Sequence, residues 1–180
     1  TSPPESSMSD RVHVTPAGLA RLQAQLEEKR RRHREICAER ELAHELSGDG
    51  WHDNPHFNHL QQLEANATRE VAQLLGLIRR AQVFQVRPGA RPTAVVTCGS
   101  IVTVLLAHTE TGREERRTFE IVGYEEGDGS PNQIAYNVPL AALILGAKVG
   151  DCVTVPLPSG EYDVEVLALH QDEPSIAMSA

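Results

Sequence analysis

From Leu19 to Ser47 the chain repeats seam positions at the spacing of one helix face. Leu19, Leu22, Leu26, His33 and Ile36 are separated by three, four or seven residues, and Leu42 and Leu46 continue the stripe one position out of step. Glu, Arg, Lys, Gln and Ala fill the intervening positions, and no Gly or Pro interrupts them. Thr15 before Pro16 supplies an N-cap and a first-turn residue. A second pattern follows: Phe57, Leu60, Ala67, Val71, Leu74 and Ile78 keep the same spacing, with Leu63 close to the seam. Asp53 or Asn54 is placed to cap it, with Pro55 at or near its first position. Each helix has one narrow apolar stripe, so the pair is predicted to form an antiparallel coiled-coil hairpin and not a globular bundle. The first helix would be roughly 45 Å long at about 1.5 Å per residue.

The period changes from helical to alternating after Val83. VRPGARPT at 86–93 reads as a linker. SIVTVLLA, RRTFEIVGY, DCVTVPL and EYDVEVLAL read as strands, separated by TG, GDGSPN and PSG turns. PLAALILGAKVGD at 139–151 is a short helix running into a glycine turn. The fold class is therefore α+β: a helical hairpin over 12–85, a linker over 86–93, and a small, mostly antiparallel β domain over 94–170. A polar tail at 1–11 and another at 171–180 flank these.

Composition narrows the function. The chain carries net charge −8 and a pI near 5.5. Residues 1–85 hold 11 Lys/Arg against 12 Asp/Glu, and residues 86–180 hold 6 against 13. Bulk attraction to nucleic acid phosphates does not fit that balance, which argues against free DNA binding. Cys37, Cys98 and Cys152 are far apart and form no C-x-x-C pair, which fits a reducing cytoplasm. No stretch reaches the roughly 18 apolar residues of a membrane span.

The chemistry concentrates at the bend between the helices, GDGWHDNPHF at 48–57. Asp49 and Asp53 are either a solvated turn and a cap, or a pair of oxygen ligands held at the hairpin end. Trp51 either stacks on a base or partner pocket, or folds back on Phe57. His52, His56 and His59, with His44 nearby, raise a metal-site reading that would make the chain a metal-binding hairpin. Pro55 places His52 ahead of the helix and breaks their common face. Lys29, Arg30, Arg31, Arg32 and Arg34 form the densest basic run, with Glu27, Glu28 and Glu35 in helical reach.

Three segments together resemble the bacterial GreA/GreB transcript-cleavage factors. TPAGLARLQAQLEE is similar to the family's opening T-x-x-G-x-x-x-L-x-x-E-L, and GDGWHDNPHF to its tip G-D-L-x-E-N-A-E-Y. VPLAALILGAKVGDCVTVPLPSGEYDVEVL is similar to the C-terminal S-P-L-G-x-A-L-L-G-x-x-x-G-D-x-V block. The resemblance covers about residues 12–170 and implies an FKBP-like C-terminal domain that docks on RNA polymerase. It implies a coiled coil that enters the polymerase's secondary channel, with the tip at 48–54. Asp49 and Asp53 would there share a Mg²⁺ with the polymerase and promote cleavage of backtracked RNA at its 3′ end. The chain would be an accessory factor and not an enzyme, with no cofactor held alone and no membrane association. Leu140, Gly146, Gly150 and Asp151 fall in the docking block, and the basic run and Trp51 would contact RNA or polymerase. The tip departs from the family pattern: Asp53 stands for Glu, one residue is added, and Pro55 and His56 replace A-E. An inhibitor of the same fold, occluding the channel, is the alternative these departures leave open.

Overall fold

The computed structural model describes residues 11–172. The predicted tails at 1–11 and 171–180 lie outside these residues, apart from Arg11, Gln171 and Asp172. The chain divides into two compact units, one of residues 19–81 and one of residues 12–18 and 82 onward.

The first unit is the hairpin. α1 runs Pro16–Ser47 over 32 residues, and α2 runs Pro55–Arg79 over 25. They are antiparallel: Lys29 pairs with Glu70, His33 with Thr68 and Arg40 with Glu64, one number falling as the other rises. Leu22, Leu26, Ile36 and Ala43 of α1 are buried, as are Phe57, Leu60 and Ala67 of α2. Leu42 and Leu46 leave the stripe, at 56% and 80% exposed, and Ala43 takes the seam. The cause is geometric. Ala43 follows Ile36 by seven residues, about two turns, whereas one further position rotates a side chain by roughly 100°.

The second unit is a five-stranded sheet in the order β5-β4-β3-β7-β6, with β3 at Ile101–His108, β4 at Glu114–Val122, β5 at Gln133–Ala135, β6 at Cys152–Leu157 and β7 at Gly160–His170. All neighbours are antiparallel except β4 and β5. One face carries Val102, Val104, Leu106, Phe119, Ile121, Val155, Val164 and Val166, closed by Leu140, Ala141 and Ile144 of α3 (Pro139–Ile144). A separate two-stranded ribbon joins β1 (Val12–Val14) to β2 (Ala81–Val83). These strands and β5, of three residues each, are too short to show an alternating pattern.

α3 is the predicted short helix stopped by a glycine turn. It stops at Ile144, and Gly146 and Gly150 then take left-handed φ values of +84° and +93°. Such turns favour glycine. Gly146 N–H donates to Val96 O, and Gly150 N–H donates to Val166 O, tying the turn to the segment before β3 and to β7.

Candidate functional site

The bend is a short 3₁₀ helix, Gly48–Asp53. Gly48 has φ +52°, which ends α1 and turns the chain. Asn54, not Asp53, caps α2: its Oδ1 accepts from the N–H groups of His56 (3.0 Å) and Phe57 (3.4 Å). Its Nδ2 donates to Ser47 Oγ, which in turn donates to Ala43 O at 2.7 Å. One side chain therefore caps the second helix and braces it to the end of the first. Asn54 N–H also donates to Trp51 O at 3.2 Å.

Asp53 is thereby relieved of the capping role. Asp49 and Asp53 are both exposed, and neither carboxylate has a hydrogen-bond or ion-pair partner among the described residues. Trp51 takes the folded-back arrangement. Its ring meets Phe57 edge-on at 5.1 Å between centroids and lies 5.5 Å from His44. With Phe57, Leu60, Ala43 and Leu63 it closes a small apolar plug beneath the bend. The proposed contact role of Trp51 is thus limited to the part of the ring that remains exposed.

His52, His56 and His59 are exposed and do not converge. Among the described residues, the one group of potential metal ligands within 4.8 Å of one another is His33, Cys37 and Glu64, along the arm and away from the bend. Sequence reasoning missed this group. His33 and Cys37 show the i,i+4 spacing, but only the pairing of the helices brings Glu64 to them.

The basic run is largely wired to its own helix pair. Arg30 meets Glu27, Arg31 bridges Glu28 and Glu35, and Lys29 reaches Glu70 at 2.7 Å. The Arg31 side chain, beside Glu28, holds that carboxyl below the usual range, and Lys29 does the same for Glu70. These pairs are exposed, and each contributes little to stability. Arg32 and Arg34 form no such pair among the described residues.

In the sheet unit, Leu140 is 3% exposed and packs the core, so its side chain is not among those on the surface of the docking block. Amphipathicity of the short helix turns Leu140 inward and leaves Leu143 outward, 45% exposed, with Val138 at 41% and Val149 at 54%. Gly146 and Gly150 serve the turn described above. Asp151 Oδ2 accepts from Lys148 N–H at 2.8 Å, closing the same turn.

The hairpin unit thus presents two exposed, unpartnered carboxylates at a braced bend, and the sheet unit forms a separate compact body. Comparison with known proteins gives the family. A family model described as "Transcription elongation factor, GreA/GreB, C-term" matches residues 91–171. The chain is 33% identical over 159 residues to transcription elongation factor GreA of Leuconostoc citreum, covering 88% of this chain and 95% of that protein. It is 31% identical over 163 residues to GreA of a Nitratiruptor species, covering 91% and 95%. Among solved structures, Thermus aquaticus Gfh1 aligns at 27% identity over 89% of this chain and 99% of that one, with a TM-score of 0.40. The chain belongs to the GreA/GreB family of transcription elongation factors. No helix among the described residues is long and apolar enough to cross a membrane.

Proposed function

We propose that this chain acts on RNA polymerase through the secondary channel and stimulates cleavage of backtracked transcripts. The observation that carries the reading is the state of Asp49 and Asp53: exposed, at the bend of the hairpin, and bonded to nothing among the described residues. Carboxylates used only for turn and cap geometry would be engaged with backbone N–H groups, and here Asn54 does that work. Hard oxygen donors free of partners suit Mg²⁺, which commonly binds through one or two carboxylates together with waters and phosphates. In the polymerase active centre, a second metal would stabilise the attacking and leaving oxygens of RNA hydrolysis. The contribution of this chain is positional: Asn54 and Ser47 brace the bend, the Trp51–Phe57 plug supports it, and the two aspartates stay hydrated until they meet the shared ion.

Docking falls to the sheet unit. Leu143, with Val138 and Val149 on its flanks, supplies the exposed apolar side chains of the segment that resembles the family's docking block. Arg32 and Arg34 are the members of the basic run left available for RNA or polymerase along the arm. A second reading, channel occlusion without cleavage, is favoured by one feature. The tip is a residue longer than the family pattern and carries Asp53 for Glu, and about 1 Å of displacement costs about 10²-fold in rate.

A stalled, backtracked elongation complex tests both. Wild-type protein is expected to shorten the RNA. Asp49→Asn and Asp53→Asn are expected to lose most of that stimulation while still competing with wild type for polymerase. Slowed nucleotide addition without RNA shortening would select the occlusion reading. Undiminished stimulation by the double variant would refute the role given to these aspartates. No association of the intact protein with polymerase at micromolar concentration would refute the proposal as a whole.

A further inference from the structure

We propose that His33, Cys37 and Glu64 form a three-ligand site for Zn²⁺ that bridges the two helices of the hairpin, with the fourth coordination position open to water. The site is independent of the tip. Cys37 lies eleven residues before Gly48 in α1, which at about 1.5 Å per residue places it roughly 16 Å down the arm.

The donor set is that of zinc: a thiolate, an imidazole and a carboxylate. His33 and Cys37 are one helical turn apart on α1 and face the same way. Glu64 comes from α2, and all three ligand atoms lie within 4.8 Å of one another in partly buried positions. The spacing of the first two fits closely. Zn–S of about 2.3 Å and Zn–N of about 2.0–2.1 Å at a tetrahedral angle separate sulfur and nitrogen by about 3.5 Å. Cys37 Sγ lies 3.8 Å from both Nδ1 and Nε2 of His33, so a turn of the imidazole about its side-chain bonds would aim Nδ1 at the ion.

The surroundings also select the imidazole tautomer. Thr68 Oγ1 donates its proton to Glu64 O at 2.8 Å, so toward His33 Nε2, at 3.1 Å, it acts as acceptor. Nε2 therefore carries the ring proton, which leaves the Nδ1 lone pair as the one the imidazole would offer to a metal. Ligating histidines generally donate their second ring N–H in this way, which fixes tautomer and orientation. Arg40 Nε lies 3.0 Å from Glu64 Oε2, which leaves Oε1 as the oxygen open to a metal. That contact is poorly aligned, and the buried Arg40 Nε has no hydrogen-bond acceptor, so Arg40 holds Glu64 loosely.

Burial, and then the Glu64 carboxylate, push the Cys37 thiol up, with Arg40 opposing and Glu41 reinforcing the effect. The metal-free sulfur is accordingly protonated. Binding breaks the S–H bond, releases that proton to solvent, and gives the sulfur electron pair to the cation, with no change of oxidation state.

The test uses the full 180-residue chain carrying Cys152→Ser, because Cys152 is exposed and would offer a competing thiol. Cys98 is partly buried, and burial pushes its thiol up to about 11, so it remains as an internal reference. One equivalent of Zn²⁺ should bind, raise Tm, and slow labelling of Cys37 but not of Cys98 by a thiol reagent. Co²⁺ as a probe should give a thiolate-to-metal charge-transfer band. Cys37→Ser should abolish that band. His33→Ala and Glu64→Gln should weaken Zn²⁺ binding by more than Thr68→Val does, the latter costing about 10-fold as an outer-shell change. Circular dichroism on each variant checks that the helices persist. Binding that survives Cys37→Ser unchanged, absence of the charge-transfer band, or Cys37 labelling insensitive to Zn²⁺ would each overturn the proposal.

Discussion

The carboxylates of the hairpin bend and three of those in the sheet unit are the same functional group in opposite circumstances. In the sheet unit Glu126, Glu120 and Asp151 are wired. Glu126 accepts from Thr15 N–H and Thr15 Oγ1, each at 2.8 Å, and from Gly123 N–H at 3.2 Å. It thus sits at the start of α1, where Thr15 Oγ1 also accepts from Gly18 N–H at 3.1 Å. Glu120 pairs with Arg91 at 2.7 Å, with the two side chains 16% and 11% exposed. Asp151 closes the turn after α3. At the bend, Asp49 and Asp53 have no such duties, because Asn54 and Ser47 perform the local bracing. An acid that holds the fold is surrounded by donors. An acid meant for another molecule must be left without them, since each donor it already satisfies would have to be broken on binding.

The comparison makes a ranked set of stability differences, readable by urea denaturation. Glu126→Gln is expected to cost the most, about 2–3 kcal/mol, because three charge-assisted hydrogen bonds weaken together. Gly18→Ala should act in the same direction by the same route, since a Cβ there would lie 1.7 Å from Glu126 Oε1 and expel the carboxylate. Arg91→Met comes next, at about 2 kcal/mol, because it strips Glu120 of its partner and removes the donor to Gly99 O. Asn54→Ala should cost about 1 kcal/mol, the ordinary value of an N-cap. It should also lower transcript cleavage, because the bend loses its brace while both aspartates remain. Asp49→Asn and Asp53→Asn should sit within about 0.5 kcal/mol of wild type, as surface changes without partners do. If either approached the Glu126→Gln value, that aspartate would be structural, and the contrast between the two regions would collapse.

The local parts of this fold were legible in the sequence because helix physics is local. The stripes of α1 and α2, Pro16 and Pro55 at their starts, and the four longer strands follow from periods of 3.6 and 2. The acidic bend followed from the glycines and aspartates between the helices. Some single positions were not legible. Leu42 and Leu46 looked like seam residues on composition, and the register set by Ile36 and Ala43 turned them outward. Leu140 and Leu143 are equivalent in type, and only docking of α3 on the sheet separates the buried one from the exposed one.

By itself, the sequence determined that there would be a helical hairpin ending in an acidic bend, an α+β architecture, and a family membership borne by three spaced segments. These depend on residue type and on spacing within one turn or one strand. The local backbone of the bend decided that Asn54 would cap in place of Asp53 and that Trp51 would fold onto Phe57. Only the tertiary structure decided that Glu126 would reach the N-terminus of α1 from 111 residues away. It alone brought Glu64 to His33 and Cys37. Such meetings depend on which faces and loops pack together, and local spacing carries no record of that.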